Sequence, residues 1–114
     1  MTRYRPGDVV LIRFPFTDLS SSKKRPALVV SPPALAARHG DVVVLALTSQ
    51  PQRDSRLRLS EWASAGLPKP TWFKPVLGTL SAKLVLRRLG RLNPADEPLA
   101  RHALRQIIHA RFLR

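Results

Sequence analysis

The chain has 114 residues, with 20 Lys plus Arg against 7 Asp plus Glu, a formal net charge of +13 and no Cys. That length predicts one domain with a single modest core, and a hydrophobic content of 44% predicts a folded chain. Disulfides and thiolate metal sites are excluded, the scattered His39, His102 and His109 have no ligand spacing, and no apolar run approaches the ~20 residues of a membrane span.

In chain order, Pro6-Gly7-Asp8 is a turn signal that opens a strand from Val9 to Phe14, and Pro15 closes it. A polar, Ser-rich loop follows from Phe16 to Lys24, and its composition predicts a mobile loop over one face. Pro26 to Ser31 reads as the second strand and Pro32-Pro33 breaks it; one helical turn is expected over Ala34 to Arg38. Gly40-Asp41 turns into a third strand, Val42 to Leu47. Arg56-Leu57-Arg58-Leu59-Ser60 alternates as a half-buried strand should. Glu61 to Pro70 is irregular, Trp72 to Leu80 is extended, and Leu84 to Leu92 is a further strand. Asn93-Pro94 opens a helix, with Asp96 and Glu97 in its first turn. Leu99, Ala100, Ala103, Leu104, Ile107, Ile108 and Phe112 form its apolar stripe, and Arg101, His102, Arg105 and His109 fall on the opposite, solvated face.

Short strands separated by turn signals predict a mainly β fold with a C-terminal helix: a small antiparallel barrel or a strongly curved sheet. The runs Val9–Ile12, Leu28–Val30 and Val42–Leu47 are too apolar for a sheet with one wet face. A closed barrel whose second face is covered by a helix or another subunit would explain them, so a homodimer is expected.

The chemistry concentrates at two strand ends. Lys24-Arg25-Pro26 enters one apolar run, and Thr48-Ser49-Gln50 ends another. If these strands pair, a guanidinium and a hydroxyl meet at one rim. Arg presents a planar fork of donors that matches phosphate oxygens, so the pair suits an anionic, phosphate-bearing ligand. The charge of +13 likewise predicts an acidic partner.

Several segments, in order, resemble the MazF/PemK toxins of bacterial toxin–antitoxin pairs. They are Arg5-Pro6-Gly7-Asp8-Val9-Val10, Arg25-Pro26-Ala27-Leu28-Val29-Val30-Ser31-Pro32, Leu45-Ala46-Leu47-Thr48-Ser49-Gln50, and Thr79-Leu80 followed by Leu89-Gly90-Arg91-Leu92. The resemblance implies an SH3-like barrel of the MazF/PemK/CcdB type, a homodimer, and an endoribonuclease that cuts single-stranded RNA without a metal or other cofactor; the absence of Cys fits a cytoplasmic location. It also implies a cognate antitoxin with an acidic C-terminal segment. The family's catalytic Arg and Thr fall on Arg25 and Thr48. Many members carry a Glu shortly before the Arg, where this chain reads Ser20-Ser21-Ser22-Lys23-Lys24. A Glu-based general base is therefore not expected there.

Lys24, Ser49, Gln50, Arg53, Arg56, Arg58 and Lys74 are the expected RNA contacts, as a set rather than as individuals, with Lys69 a further backbone-tracking cation. Trp72 and Phe73 can stack on bases, but core packing is the stronger expectation for them. Two other functions fit the same fold: a CcdB-like toxin that binds gyrase, and a basic RNA-binding barrel without catalysis.

Overall fold

The computed structural model describes residues 3–14 and 23–109. Pro15, the Ser-rich loop through Ser22, and Phe112 lie outside the described residues. Five strands, β1 (Asp8–Phe14), β2 (Lys23–Val29), β3 (Asp41–Thr48), β4 (Trp72–Ser81) and β5 (Val85–Arg91), form one antiparallel sheet in the order β4-β3-β2-β1-β5. Helix α1 (Pro33–His39) bridges β2 and β3, and α2 (Glu97–Arg105) follows β5.

The apolar runs are explained by burial on both faces. Residues alternate between faces along a strand. Val9, Leu28, Leu45 and Leu47 pack on one side with Leu57, Leu59, Leu67, Phe73 and the α2 residues Ala100 and Ala103. Val10, Ile12, Ala27, Val29, Val42 and Val44 form a second cluster on the other side. Leu80 and Val85, from the two edge strands, meet in that second cluster, so the sheet curls around it. The edges approach through side chains rather than a ladder: β4 and β5 remain the ends of an open sheet, and the expected closed barrel is not completed by hydrogen bonds. One chain therefore buries both faces without a partner. The homodimer expectation is left resting on the family resemblance.

Two further expectations are corrected. Arg56 to Ser60 is not a strand. Asp54 accepts a hydrogen bond from Arg56 N and caps a 3-10 turn, Ser55–Leu57; a single bridge then joins Arg58 to Trp72. The alternation correctly marked Leu57 and Leu59 as buried, at 3% and 1% exposure, but no ladder accompanies it. At the second helix, Asn93 caps a 3-10 turn, Pro94–Asp96, and the α-helix begins only at Glu97. Asp96 turns away from the helix N-terminus. It is fully buried and accepts hydrogen bonds from Ser60 N, Ser60 Oγ and Glu61 N at 2.8–2.9 Å. Helix α1 runs seven residues, longer than the expected single turn, and ends where Gly40 adopts φ 70°.

Candidate functional site

The site is built by strand register. Ala27 lies opposite Ala46 across β2 and β3, and continuing that antiparallel register by two residues places Arg25 opposite Thr48. Pro26, which has no N–H to donate, stands just beyond the last β2–β3 pair. Leu47 and Thr48 are held in turn by Phe73 and Trp72 of β4. The rim where a guanidinium and a hydroxyl meet is thus set by backbone pairing on both sides of β3.

Thr48 is 8% exposed, and its Oγ1 accepts a hydrogen bond from Gln50 N at 3.1 Å. That is a strand-end turn contact, and it also fixes the hydroxyl. One lone pair is used; the hydroxyl proton has no acceptor among the described residues. Arg25 is exposed, and its guanidinium has no ion pair or hydrogen bond among the described residues.

Both residues border two adjoining cavities. The first, of about 440 Å³, is lined by Lys24, Arg25, Leu47, Thr48, Ser49, Leu67, Pro68, Lys69, Thr71, Arg87 and Leu89 among others. The second, of about 210 Å³, is lined by Arg25, Ala46, Leu47, Thr48, Gln50, Lys74 and Val76. Cations and hydroxyls surround these cavities, and among the described residues no carboxylate lines either one. An open groove of about 490 Å³ elsewhere is walled by Val30, Pro32, Leu35, Leu104 and Ile108 and shares no residue with this site.

One wall of the first cavity is held by glycine. Gly66 (φ 86°) and Gly90 press the loop before β4 against β5 backbone to backbone: a Cβ on Gly66 would lie 2.1 Å from the Leu89 carbonyl oxygen, and one on Gly90 would lie 2.4 Å from that of Ala65. This contact sets the distance between Leu67-Pro68-Lys69 and β5.

The sequence model of the family described as PemK-like, MazF-like toxin of type II toxin–antitoxin system matches residues 5–108. The chain belongs to this toxin family. An endoribonuclease from a mycobacterial species has a similar structure (24% identity, 93% of this chain and 91% of that one, TM-score 0.68). So does MazF from Deinococcus radiodurans (19% identity, 94% and 97% covered, TM-score 0.71). A third is a mycobacterial endoribonuclease in complex with its cognate antitoxin (20% identity, 93% of both chains, TM-score 0.63). No curated protein matches the chain. These neighbours share the MazF-like fold: a five-stranded antiparallel sheet with a C-terminal helix.

Within this MazF-like chain the remaining expected RNA contacts divide. Lys24 and Ser49 line the first cavity with Arg25 and Thr48; Gln50 and Lys74 line the second. Arg53, Arg56 and Arg58 lie outside both. Arg53 is exposed. Arg56 is held by Asp54, with Nε 3.1 Å from Oδ1, and Arg58 lies over the Trp72 ring at 5.6 Å. Phe73 is fully buried in the core and Trp72 packs against it, as the packing expectation had them. His102 departs from its expected solvated role, because its Nε2 lies 2.7 Å from Asp54 Oδ2 and ties the segment after Thr48 to α2. That hydrogen bond, with those from Arg56, holds the Asp54 carboxyl well below the usual carboxylate range. Sequence reasoning missed Arg87 as a site residue. Its place follows only from β5 lying next to β1, which puts Arg87 opposite Leu11 and Leu11 opposite Pro26.

Proposed function

We propose that this toxin is an endoribonuclease that cleaves single-stranded RNA through the RNA's own 2′-hydroxyl. The observation that carries the reading is Arg25, without an ion pair among the described residues, beside the oriented Thr48 hydroxyl at the border of two cavities that no described acid lines. The names of the mycobacterial neighbours as endoribonucleases support it.

The 2′-hydroxyl oxygen gives up its proton to solvent and attacks the adjacent phosphorus in line; the bond to the 5′-oxygen of the next nucleotide breaks, and that oxygen takes up a proton. The products are a 2′,3′-cyclic phosphate and a 5′-hydroxyl. The reaction requires alignment and stabilisation of the charge that builds on the phosphoryl oxygens. Arg25 supplies that charge and is suited to hydrogen-bond the leaving oxygen as it departs. It is not a base, because a guanidinium stays protonated. Thr48 donates its free proton to a non-bridging oxygen. Lys24, Ser49, Gln50 and Lys74 line the cavities around that phosphate, whereas Arg53, Arg56 and Arg58 act through the wider positive field.

The reading extends to a cytoplasmic homodimer silenced by an antitoxin with an acidic tail, consistent with neighbours crystallised with their antitoxins. Arg25→Ala and Thr48→Ala should each lower cleavage about a hundredfold or more while the fold is kept. Each should also abolish growth arrest on expression. Toxicity that survives both substitutions would transfer the assignment to a protein-binding toxin of the gyrase type.

A further inference from the structure

The cavity beside Arg25 and Thr48 has a second cationic wall. Arg87 enters it from β5 and Lys69 from the loop before β4. Neither side chain has an ion pair or hydrogen bond among the described residues. The next residue along β5, Arg88, lies 3.8 Å from the buried Asp8, and Arg91 binds the same carboxylate at 2.6 Å. Strand alternation turns Arg87 to the opposite face from Arg88, away from that acid and into the cavity.

The spacing argues for two anions rather than one. Arg87 pairs with Leu11, and Leu11 with Pro26, the neighbour of Arg25. Two inter-strand steps put the backbones of Arg87 and Pro26 roughly 10 Å apart. Between the two cationic walls lie Leu47, Leu67, Pro68 and Leu89, an apolar surface against which a nucleoside can pack. A volume of about 440 Å³ falls in the range of small-ligand sites, roughly 300–1,000 Å³. The Gly66–Gly90 backbone contact ties the Lys69 loop to β5, so the two cations of this second wall are held together.

We propose that Arg87 and Lys69 form a second phosphate subsite, which grips the phosphate adjacent to the one at Arg25 and Thr48 and seats the intervening nucleoside on the apolar floor. The inference deepens the nuclease reading and rests on it for the position of the first phosphate. Phosphate contacts carry no sequence information, so this subsite sets grip and register rather than choice of base.

The test measures binding of short, non-cleavable 2′-O-methyl homopolymers by fluorescence anisotropy across a salt series. It compares wild type, Arg87→Ala, Arg87→Gln, Lys69→Ala and the control Arg101→Ala, which removes the same charge from α2. Each Arg87 substitution should weaken binding about tenfold for every homopolymer and lower the salt slope by about 0.7, the loss expected for one single-strand phosphate. Arg101→Ala should stay within about twofold of wild type. On cleavable RNA, Arg87→Ala should raise KM and leave kcat near wild type, as loss of uniform binding does. Binding by the Arg87 variants equal to that of Arg101→Ala would overturn the subsite, whatever the protein cleaves. A wild type that binds through Arg87 but does not cut would sink the nuclease reading and leave the subsite standing. A folded wild type that fails to bind any of the homopolymers would remove both.

Discussion

Each fully buried carboxylate in the described part of the chain is held by named donors. Asp8 receives Arg91 Nη1 at 2.6 Å and Arg5 N at 3.1 Å; Asp96 receives Ser60 and Glu61. Neither lines the cationic cavities, so neither carboxylate cancels the field around Arg25. Asp96→Ala would leave those donors unpaired, and chemical denaturation should show a loss of about 2–4 kcal/mol. Asp96→Asn should lose less, because its amide oxygen still accepts while its NH₂ cannot. Asp54 carries a pH prediction. Its folded pKa lies below the unfolded value of about 3.9, so its contribution is complete above that value and is lost as pH falls through the depressed folded pKa. The stability gap between wild type and Asp54→Asn should therefore not narrow between neutral pH and the ordinary carboxylate range, and should narrow only below it. A gap that closed between pH 7 and pH 5 would contradict this assignment.

Strands were legible where Pro or Gly bounded an apolar run, as at Val9–Phe14 and Val42–Leu47, although the strand expected over Pro26–Ser31 runs instead from Lys23 to Val29. The observed Asp8–Phe14 and Asp41–Thr48 differ from those by a residue or so at an end. The Arg25–Thr48 rim was legible too, because both residues sit at the polar ends of runs that had to pair. Two of the failures share a cause: a side chain bonding far along the chain. Leu57 and Leu59 alternate like a strand, yet Asp54 caps a 3-10 turn there and its carboxylate also meets His102, a partner on α2 that no local pattern reveals. Asp96 reads as a first-turn acid, yet it reaches Ser60. Arg87 was invisible as a site residue because its neighbour is β1, not the preceding β4. At this scale the Gly66–Gly90 contact is the element to test. Gly90→Ala puts a methyl 2.4 Å from the Ala65 carbonyl oxygen, so the loop must move off β5. Loss of stability should come with weakened RNA binding at temperatures where the variant is still folded, because the Lys69 wall moves with the loop.

The chain as a whole carries +13 on a fold that buries both faces of its sheet within a single copy. No helix among the described residues is long and apolar enough to cross a membrane. Such a charge would make encounters with the proposed RNA substrate, or with the proposed acidic antitoxin tail, fast and strongly salt-dependent. Antitoxin binding should weaken steadily between low and physiological salt, because exposed charge pairs are screened over a Debye length of about 8–10 Å. Salt-independent binding would instead point to a mainly apolar contact. The central claim is that Arg25 and Thr48 cut RNA by aligning its own 2′-hydroxyl. It is tested most directly by incubating a long single-stranded RNA with wild type and Arg25→Ala in EDTA and determining the chemistry of both new ends. The account predicts discrete wild-type cuts that leave 2′,3′-cyclic phosphate and 5′-hydroxyl ends, lost in Arg25→Ala. Cuts that leave 5′-phosphates, or a folded wild type that leaves the RNA intact, would contradict it.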